Sequence, residues 1–506
     1  MVLLLILLGL VGALVFYYYG IRPMSYWKKR GVKQTTPNWW FGDMRKTTFR
    51  EENFVDFFQR IYNMEPNSRY FGYYQFSVPT LLIKDPKLIK RITLKEFDHF
   101  TDHIQFVPPE SDPLWARNLL SLQGQQWKEM RPIISPSFTS NKMKTMFTLM
   151  DDCAKNFVNY LLNKNQDIVE VEMKNVATRF ANDVIATTAF GVQVDSLEEP
   201  NNEFYKMGAQ VTDFSSLRKA LQFTRATVFP GSTKISKVYI FENPSRQFFI
   251  DLIENNLKLR EEKGIVRQDM LHLLLEAKNG QKKKGGLEIT NVDIIAEALI
   301  FFFAGFESVS TLITFTAYEL ALHPEIQERL RNEIIEASQE CNGKCNYDAI
   351  IQMKYLDMVI SESLRKWTNF PNTNRVCTKD FVIEPELPGE KRVVIEKGTH
   401  LELPILALHY DPKYFSNPER FDPERFSDEN KDKIDPYTFF PFGLGPRLCI
   451  GSRFALMEVK VLLAHLLSSF EIIPIKKTQI PMKLSKKSFS VDPADGVYLG
   501  FKRLRL

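Results

Sequence analysis

The run Phe442-Gly-Leu-Gly-Pro-Arg-Leu-Cys-Ile-Gly451 constrains this chain more than any other stretch. Its glycines, Gly443, Gly445 and Gly451, allow backbone conformations that a Cβ would forbid, and Pro446 stiffens the middle of the loop. From Ser452 to Ser468 apolar residues recur at helical spacing, through Phe454, Leu456, Val459, Leu462, Leu463, Leu466 and Leu467. The loop therefore delivers Cys449 close to a helix N-terminus, where free amides and the helix dipole favour a thiolate. Arg447, two residues earlier, is placed to meet an anion. A lone cysteine in such a turn would be read as a buried structural residue.

The N-terminus sets a second constraint. Residues 1–21 carry no charged side chain and as a helix reach about 30 Å, the thickness of a bilayer core. Tyr17, Tyr18 and Tyr19 form an interfacial belt, and Arg22, Lys28, Lys29 and Arg30 follow, which places the body after them on the cytoplasmic side. A cleaved signal peptide fits poorly, because there is neither a basic leader nor a small-x-small cleavage site. The division expected is a transmembrane anchor over 1–21, a linker over 22–50, and a catalytic body over 51–506. Within the linker Pro37, Trp39, Trp40 and Phe41 are apolar enough to touch a membrane surface.

A net charge of +5 over 506 residues is too mild for nucleic-acid binding, though compatible with an acidic partner or an anionic lipid surface. Five cysteines, at 153, 341, 345, 377 and 449, give no disulfide framework and point to a reducing compartment. Cys341 and Cys345 have no second ligand pair nearby and read as an exposed loop. Forty phenylalanines suit a large apolar pocket as well as a large core.

Along the chain, residues 72–83 predict two short strands around a break at Val78-Pro79, with a helix from Asp85. Residues 106–120 are proline-broken and read as loop. Helical runs fill 141–280, interrupted at Thr227–Thr233, whose apolar residues would dip toward lipid near a substrate mouth. Asn279–Gly286 reads as a solvated loop. Thr290-Asn-Val-Asp293 is a capping-box start, and the pattern then runs helical to Leu322, about 50 Å. Being apolar on nearly all faces, this helix should thread the core; a second membrane span is opposed by Glu297 and Glu307 within it. Midway stands Ala304-Gly-Phe-Glu-Ser308, where Gly305 costs about 1 kcal/mol, so something should use the space it leaves. Residues 380–404 alternate like short strands, and the tail from Phe489 adds more. Trp127 and Arg131 share a helical face at i, i+4, and Glu362 and Arg365 pair at i, i+3; alone, each reads as an ordinary surface pair.

The loop FGLGPRLCIG resembles, at every fixed position, the haem-binding signature of the cytochromes P-450. The pairs Trp127…Arg131 and Glu362…Arg365, the Ala304–Ser308 stretch and Pro423-Glu-Arg-Phe426 follow that family's order and spacing. The anchor, its basic flank and the sequence PFGLGPRLCIGSRF are most similar to microsomal members, the insect xenobiotic-metabolising branch in particular. The resemblance implies a mainly α fold with a small β-rich portion (α+β), one large domain behind a single N-terminal transmembrane helix. It implies haem b (iron protoporphyrin IX), with Cys449 as the metal ligand and Phe442 packed near its sulfur. Trp127, Arg131, Arg375 and Arg447 would reach the propionates, with Ala304 and Gly451 completing the cofactor-binding set. Glu362, Arg365 and Arg425 would form a buried structural cluster holding the cysteine loop. Glu307 and Ser308 would be the catalytic pair, relaying protons with water held beside the gap at Ala304-Gly305.

The implied activity is monooxygenation of lipophilic small molecules, xenobiotics or endogenous lipids and hormones, at the endoplasmic reticulum membrane. The implied partners are an NADPH-cytochrome reductase, cytochrome b5 as a further donor, membrane lipid and no nucleic acid. Two departures stand out: Ser308 replaces the family's usual threonine, and residues 366–374 lack its common Pro-Pro. Two other classes remain in view: a haem-thiolate isomerase or dehydratase acting on peroxides, which an intact acid–alcohol pair disfavours, and a non-enzymatic haem- or lipophile-binding protein.

Overall fold

The apolar N-terminal run forms α1 (Val2–Phe16), whose helical path continues through Tyr17–Ile21 and two further turns to Lys29. No side chain of α1 is buried. The computed structural model describes residues 1–267, 269–282, 288–341 and 346–504. Cys345 and the end of the loop expected at 279–286 lie outside them.

The stretch expected as a linker carries packed structure. Trp27 is fully buried and lies so close to Gly72 that a Cβ there would sit 2.5 Å from the indole. Gln34 bridges to the same glycine, and Val32 and Met44 join the adjoining core. The partner of Trp27 is thus the sheet.

That sheet has four strands in the order β1 (Tyr70–Gln75), β2 (Val78–Ile83), β7 (His400–Leu403) and β4 (Thr373–Val376). β1 and β2 form an antiparallel hairpin with Tyr70 opposite Ile83, while β2 and β7 run parallel. The chain turns at Phe76, which has φ 55°, rather than at Val78-Pro79. Pro79 fits within β2 because β7 pairs with it only from Thr80 onward, so no ladder bond is needed from Pro79. β5 (Phe381–Ile383) and β6 (Val393–Ile395) make a two-stranded piece. The sheet β3 (Ile168–Glu172), β9 (Tyr498–Arg503), β8 (Phe470–Pro474) gathers the C-terminal tail.

The rest is mainly helical. The elements that position the site are α2 (Gly124–Ile134), α3 (Ser140–Leu162), α4 (Met173–Ile185), α5 (Glu203–Thr212), α6 (Asn291–Leu322), α7 (Lys354–Lys366) and α8 (Ser452–Ser469). α6 starts on the expected capping box: Asp293 N–H donates to Thr290 Oγ1 at 3.3 Å, and Thr290 N–H donates to the Asp293 carboxylate at 2.8 Å. It ends before Pro324 and is buried in protein along most of its length, a core helix and not a second span. It packs most extensively against α4, where a Cβ on Gly305 would lie 2.5 Å from Ile185 Cδ1. Ile185 therefore uses the space that Gly305 leaves on the side of α6 that faces α4.

Candidate active site

The cysteine loop closes on itself before it meets anything else. Cys449 N–H donates to the Phe442 carbonyl at 2.9 Å and Leu448 N–H to that of Gly445, also at 2.9 Å. Gly445 has φ 69°, and a Cβ there would fall 2.0 Å from the Thr93 carbonyl oxygen, so only glycine lets the loop approach that backbone. Gly451 caps α8 and directs its N–H at the Cys449 sulfur. The thiol lies deep in the protein yet stays accessible to an internal space. Burial raises its pKa, against the lowering by the Gly451 N–H and Arg131. A cation bound at this sulfur would favour its thiolate over the desolvation that opposes it.

Cations converge beside it from three elements. Arg447 stacks over the Trp127 ring at 4.1 Å and donates to the carbonyls of Thr101, Leu119 and Leu122 at 2.7, 3.2 and 2.7 Å. A guanidinium has five N–H groups, so these bonds fix its plane without exhausting it. Arg375, on β4, donates to the Leu444 carbonyl of the loop at 3.2 Å, while its Nε is buried without a partner among the described residues. Arg131, on α2 with Trp127, donates to the Leu448 carbonyl at 2.7 Å. Burial lowers Arg375 to about 10; burial with repulsion from Arg375 and Arg131 lowers Arg447 to about 9, against the attraction of Asp102. His103 stands beside Arg375 and Arg447 with its Nδ1 3.2 Å from Asn374 Oδ1, and burial keeps it neutral. Cationic charge with a donor to spare, next to an accessible deep thiol, fits an iron porphyrin with its two carboxylates.

α6 supplies the other polar pair. Ala304 is exposed to internal space in the middle of this buried helix. Ser308 Oγ donates to the Ala304 carbonyl at 2.5 Å. The Glu307 carboxylate accepts from Lys174 Nζ at 2.7 Å. An aromatic wall runs alongside: Trp115, Phe241 and Phe303 meet at 5.3–5.9 Å between centroids, and Phe214 joins Phe303 to Phe489 at 5.7 and 5.4 Å.

Glu362, Arg365 and Arg425 come together as a buried cluster. Arg365 Nε lies 2.7 Å from Glu362 Oε2, and Arg425 Nε lies 3.4 Å from Glu362 Oε1. Arg365 also donates to the carbonyls of His409 and Pro418 at 2.9 and 2.8 Å. The His409 ring bonds Arg365 O through Nδ1 at 3.0 Å and accepts Phe440 N–H at Nε2 at 3.4 Å. This is the link from α7 to the cysteine loop, and nothing in the sequence marks His409 for it. Burial and Arg365 lower His409 to about 3, so it stays a neutral connector.

The family model for cytochrome P-450 matches residues 32–499. The chain belongs to the cytochrome P-450 family. Among its relatives, cytochrome P-450 9e2 of Blattella germanica is 41% identical, over 97% of this chain and 96% of that protein. Probable cytochrome P-450 9f2 of Drosophila melanogaster is 40% identical over 97% of each. Cytochrome P-450 6k1 of Blattella germanica is 36% identical over 98% of this chain. This P-450 is accordingly a haem-thiolate monooxygenase, of a family whose microsomal members draw electrons from a reductase. Its exposed apolar N-terminal helix is consistent with anchoring in a membrane.

Proposed function

We propose that this P-450 inserts one atom of O2 into lipophilic small molecules, with electrons from an NADPH-dependent reductase. It would do so at the endoplasmic reticulum membrane with the catalytic body on the cytoplasmic side. The observation that carries the reading is the pairing of a deep, accessible Cys449 thiol with an acid–alcohol step, Glu307-Ser308, on the helix through the core. Sequestration of a ligand needs neither.

Cys449 Sγ would ligate the iron, and Arg131, Arg375, Arg447 and Trp127 would hold the propionates. Once bound, the haem supplies oxygen activation, which the thiolate promotes by electron donation. The Ser308 hydroxyl and the Glu307 carboxyl hold and pass protons beside Ala304. Trp115, Phe214, Phe241, Phe303 and Phe489 keep bulk water out and give a lipophile its apolar contacts. The basic residues after the anchor, of which Arg22, Lys28 and Lys29 remain exposed, favour the cytoplasmic placement.

The test is turnover of a lipophile panel by purified protein with reductase, NADPH and isotopically labelled O2. Products carrying one labelled oxygen are expected; conversion without NADPH, or without label, would overturn the reading. Cys449→Ser should abolish the strongly red-shifted Soret band of the reduced, CO-bound protein.

A further inference from the structure

The Glu307 carboxylate does not stand alone at the edge of the cavity. Lys174, in the first turn of α4, reaches across to α6 and spends its ammonium on one short stretch of that helix. Nζ lies 2.7 Å from Glu307 Oε1, 3.1 Å from Ser310 Oγ and 2.6 Å from Thr311 Oγ1. An ammonium has three hydrogens, so this set saturates it. Ser310 in turn donates to the Glu307 carbonyl at 3.0 Å. The lysine side chain is 14% exposed and the glutamate 29%, so the pair is shielded on the lysine side and open on the other.

Lys174 is itself held from behind. Glu172, at the end of β3, accepts the N–H groups of Lys174 and Asn175 at 3.1 and 2.6 Å and that of Val497 at 2.8 Å. This caps α4 and ties its first turn to the C-terminal sheet. Other charged groups face the same place from the surrounding elements. Asp492, on the loop before β9, is raised to about 6 by burial and by Glu307 and Glu172, against the pull of Lys174. Tyr205 of α5 feels both Glu307 and Glu172, with Arg179 of α4 over its ring at 4.2 Å.

We infer that Lys174 is a positioning residue for proton handling: it fixes the Glu307 carboxylate and the Ser310 and Thr311 hydroxyls on one turn of α6, with Asp492 as the second carboxylate of the same cluster. The inference rests on the reading of Glu307 and Ser308 as the proton-handling pair. A purely structural lysine would tie α4 to α6 equally well through an uncharged hydrogen bond. A positioning lysine must keep its charge, because its ammonium holds the Glu307 carboxylate at 2.7 Å and also attracts Asp492.

The test compares full-length, haem-loaded Lys174→Met, Lys174→Arg and Asp492→Asn with the parent. Two quantities are read across pH: product formed per NADPH oxidised, and the protonated-carboxyl infrared band that Glu307→Gln removes. Loss of the cation in Lys174→Met should move both midpoints to higher pH, and Lys174→Arg should return them toward the parent. Asp492→Asn leaves the lysine in place and removes a negative neighbour, so it should move both midpoints down, including where Lys174→Met fails to fold. Unmoved midpoints in either folded variant, or a shift that arginine does not restore, overturn the inference. If Glu307→Gln leaves product per NADPH unchanged, the relay reading itself fails; the infrared titration still decides whether Lys174 governs Glu307.

Discussion

Ser308 spends its hydroxyl on the Ala304 carbonyl, 2.5 Å away and one helical turn earlier on α6. The alcohol next to the acid is thus satisfied inside its own helix, with its lone pairs left to accept from the cavity. Serine reaches this state readily because it lacks the methyl that narrows the rotamers of threonine.

Ser308→Thr should therefore raise the ratio of product to NADPH oxidised, because a stiffer hydroxyl holds a proton-carrying water more firmly. Ser308→Ala should lower that ratio and divert reductant to hydrogen peroxide. Product, NADPH and peroxide measured in one assay decide it. An alanine variant with the parent's ratio would move the relay from Ser308 to Glu307 and ordered water.

The Glu362 cluster should fail unevenly. Glu362→Ala leaves the fully buried Arg365 without its carboxylate, at a cost of about 3–5 kcal/mol. It also loosens the route through His409 to Phe440. Apo or aggregated protein is expected. Arg425 is 10% exposed and contacts Glu362 at 3.4 Å, so Arg425→Ala should be milder. Haem content per polypeptide is the measurement, and a Glu362→Ala protein with full haem would remove the structural role.

What could be read from the sequence was local. The capping box at Thr290, the apolar circumference of the helix it starts and the helix after Gly451 are patterns within a few turns, and each stands where expected. Contacts between distant segments left no such mark. Lys174 is 133 residues from Glu307 and His409 is 44 from Arg365, and neither carries a periodic signal. The depth of Cys449 is of the same kind: the helix end beside it is visible in sequence, whereas its burial is a property of the assembled core. Trp27 was hidden by its basic neighbours, which read as a membrane flank.

Glu402, on β7, gives the stability of this P-450 a pH dependence. Burial raises its carboxyl to about 8, against the hydrogen bonds from Asn372 and Gln75. The native state then keeps a proton that the unfolded chain has released, so the associated stability is full below about pH 4.5 and is lost as pH rises toward 8. The loss should be on the order of a few kcal/mol. Unfolding temperature at a fixed scan rate should fall from pH 5 to pH 8 in the parent. Glu402→Gln should flatten that fall while costing about 1 kcal/mol at acid pH, since an amide has one acceptor oxygen fewer. An unchanged slope would mean that Glu402 is ionised in the native protein.

The end of the anchor is fastened to the body, which shapes what its removal should do. Phe16 meets Trp39 and Trp40 at 5.6 and 5.7 Å between ring centroids, and Phe229 meets Tyr19 and Trp40 at 5.9 and 6.2 Å. Beside this cluster Leu217, Leu221 and Ile235 are exposed, the last 93% so. Deleting residues 2–15 removes most of the span but leaves that apolar surface, each large side chain of which is worth about 1.5–3 kcal/mol when buried in lipid. Much of the truncated protein should therefore leave the membrane while a fraction sediments with it, and the haem spectrum should be unchanged because Trp27 and the sheet still hold the body's N-terminal edge. Adding Trp39→Ser and Phe229→Ser to the deletion should release the remainder. Flotation with vesicles of neutral lipid measures each fraction, with the reduced CO-bound spectrum taken on the same samples. Complete release by the deletion alone would show that the rings do not reach lipid, and loss of haem would show that the anchor is needed for the fold.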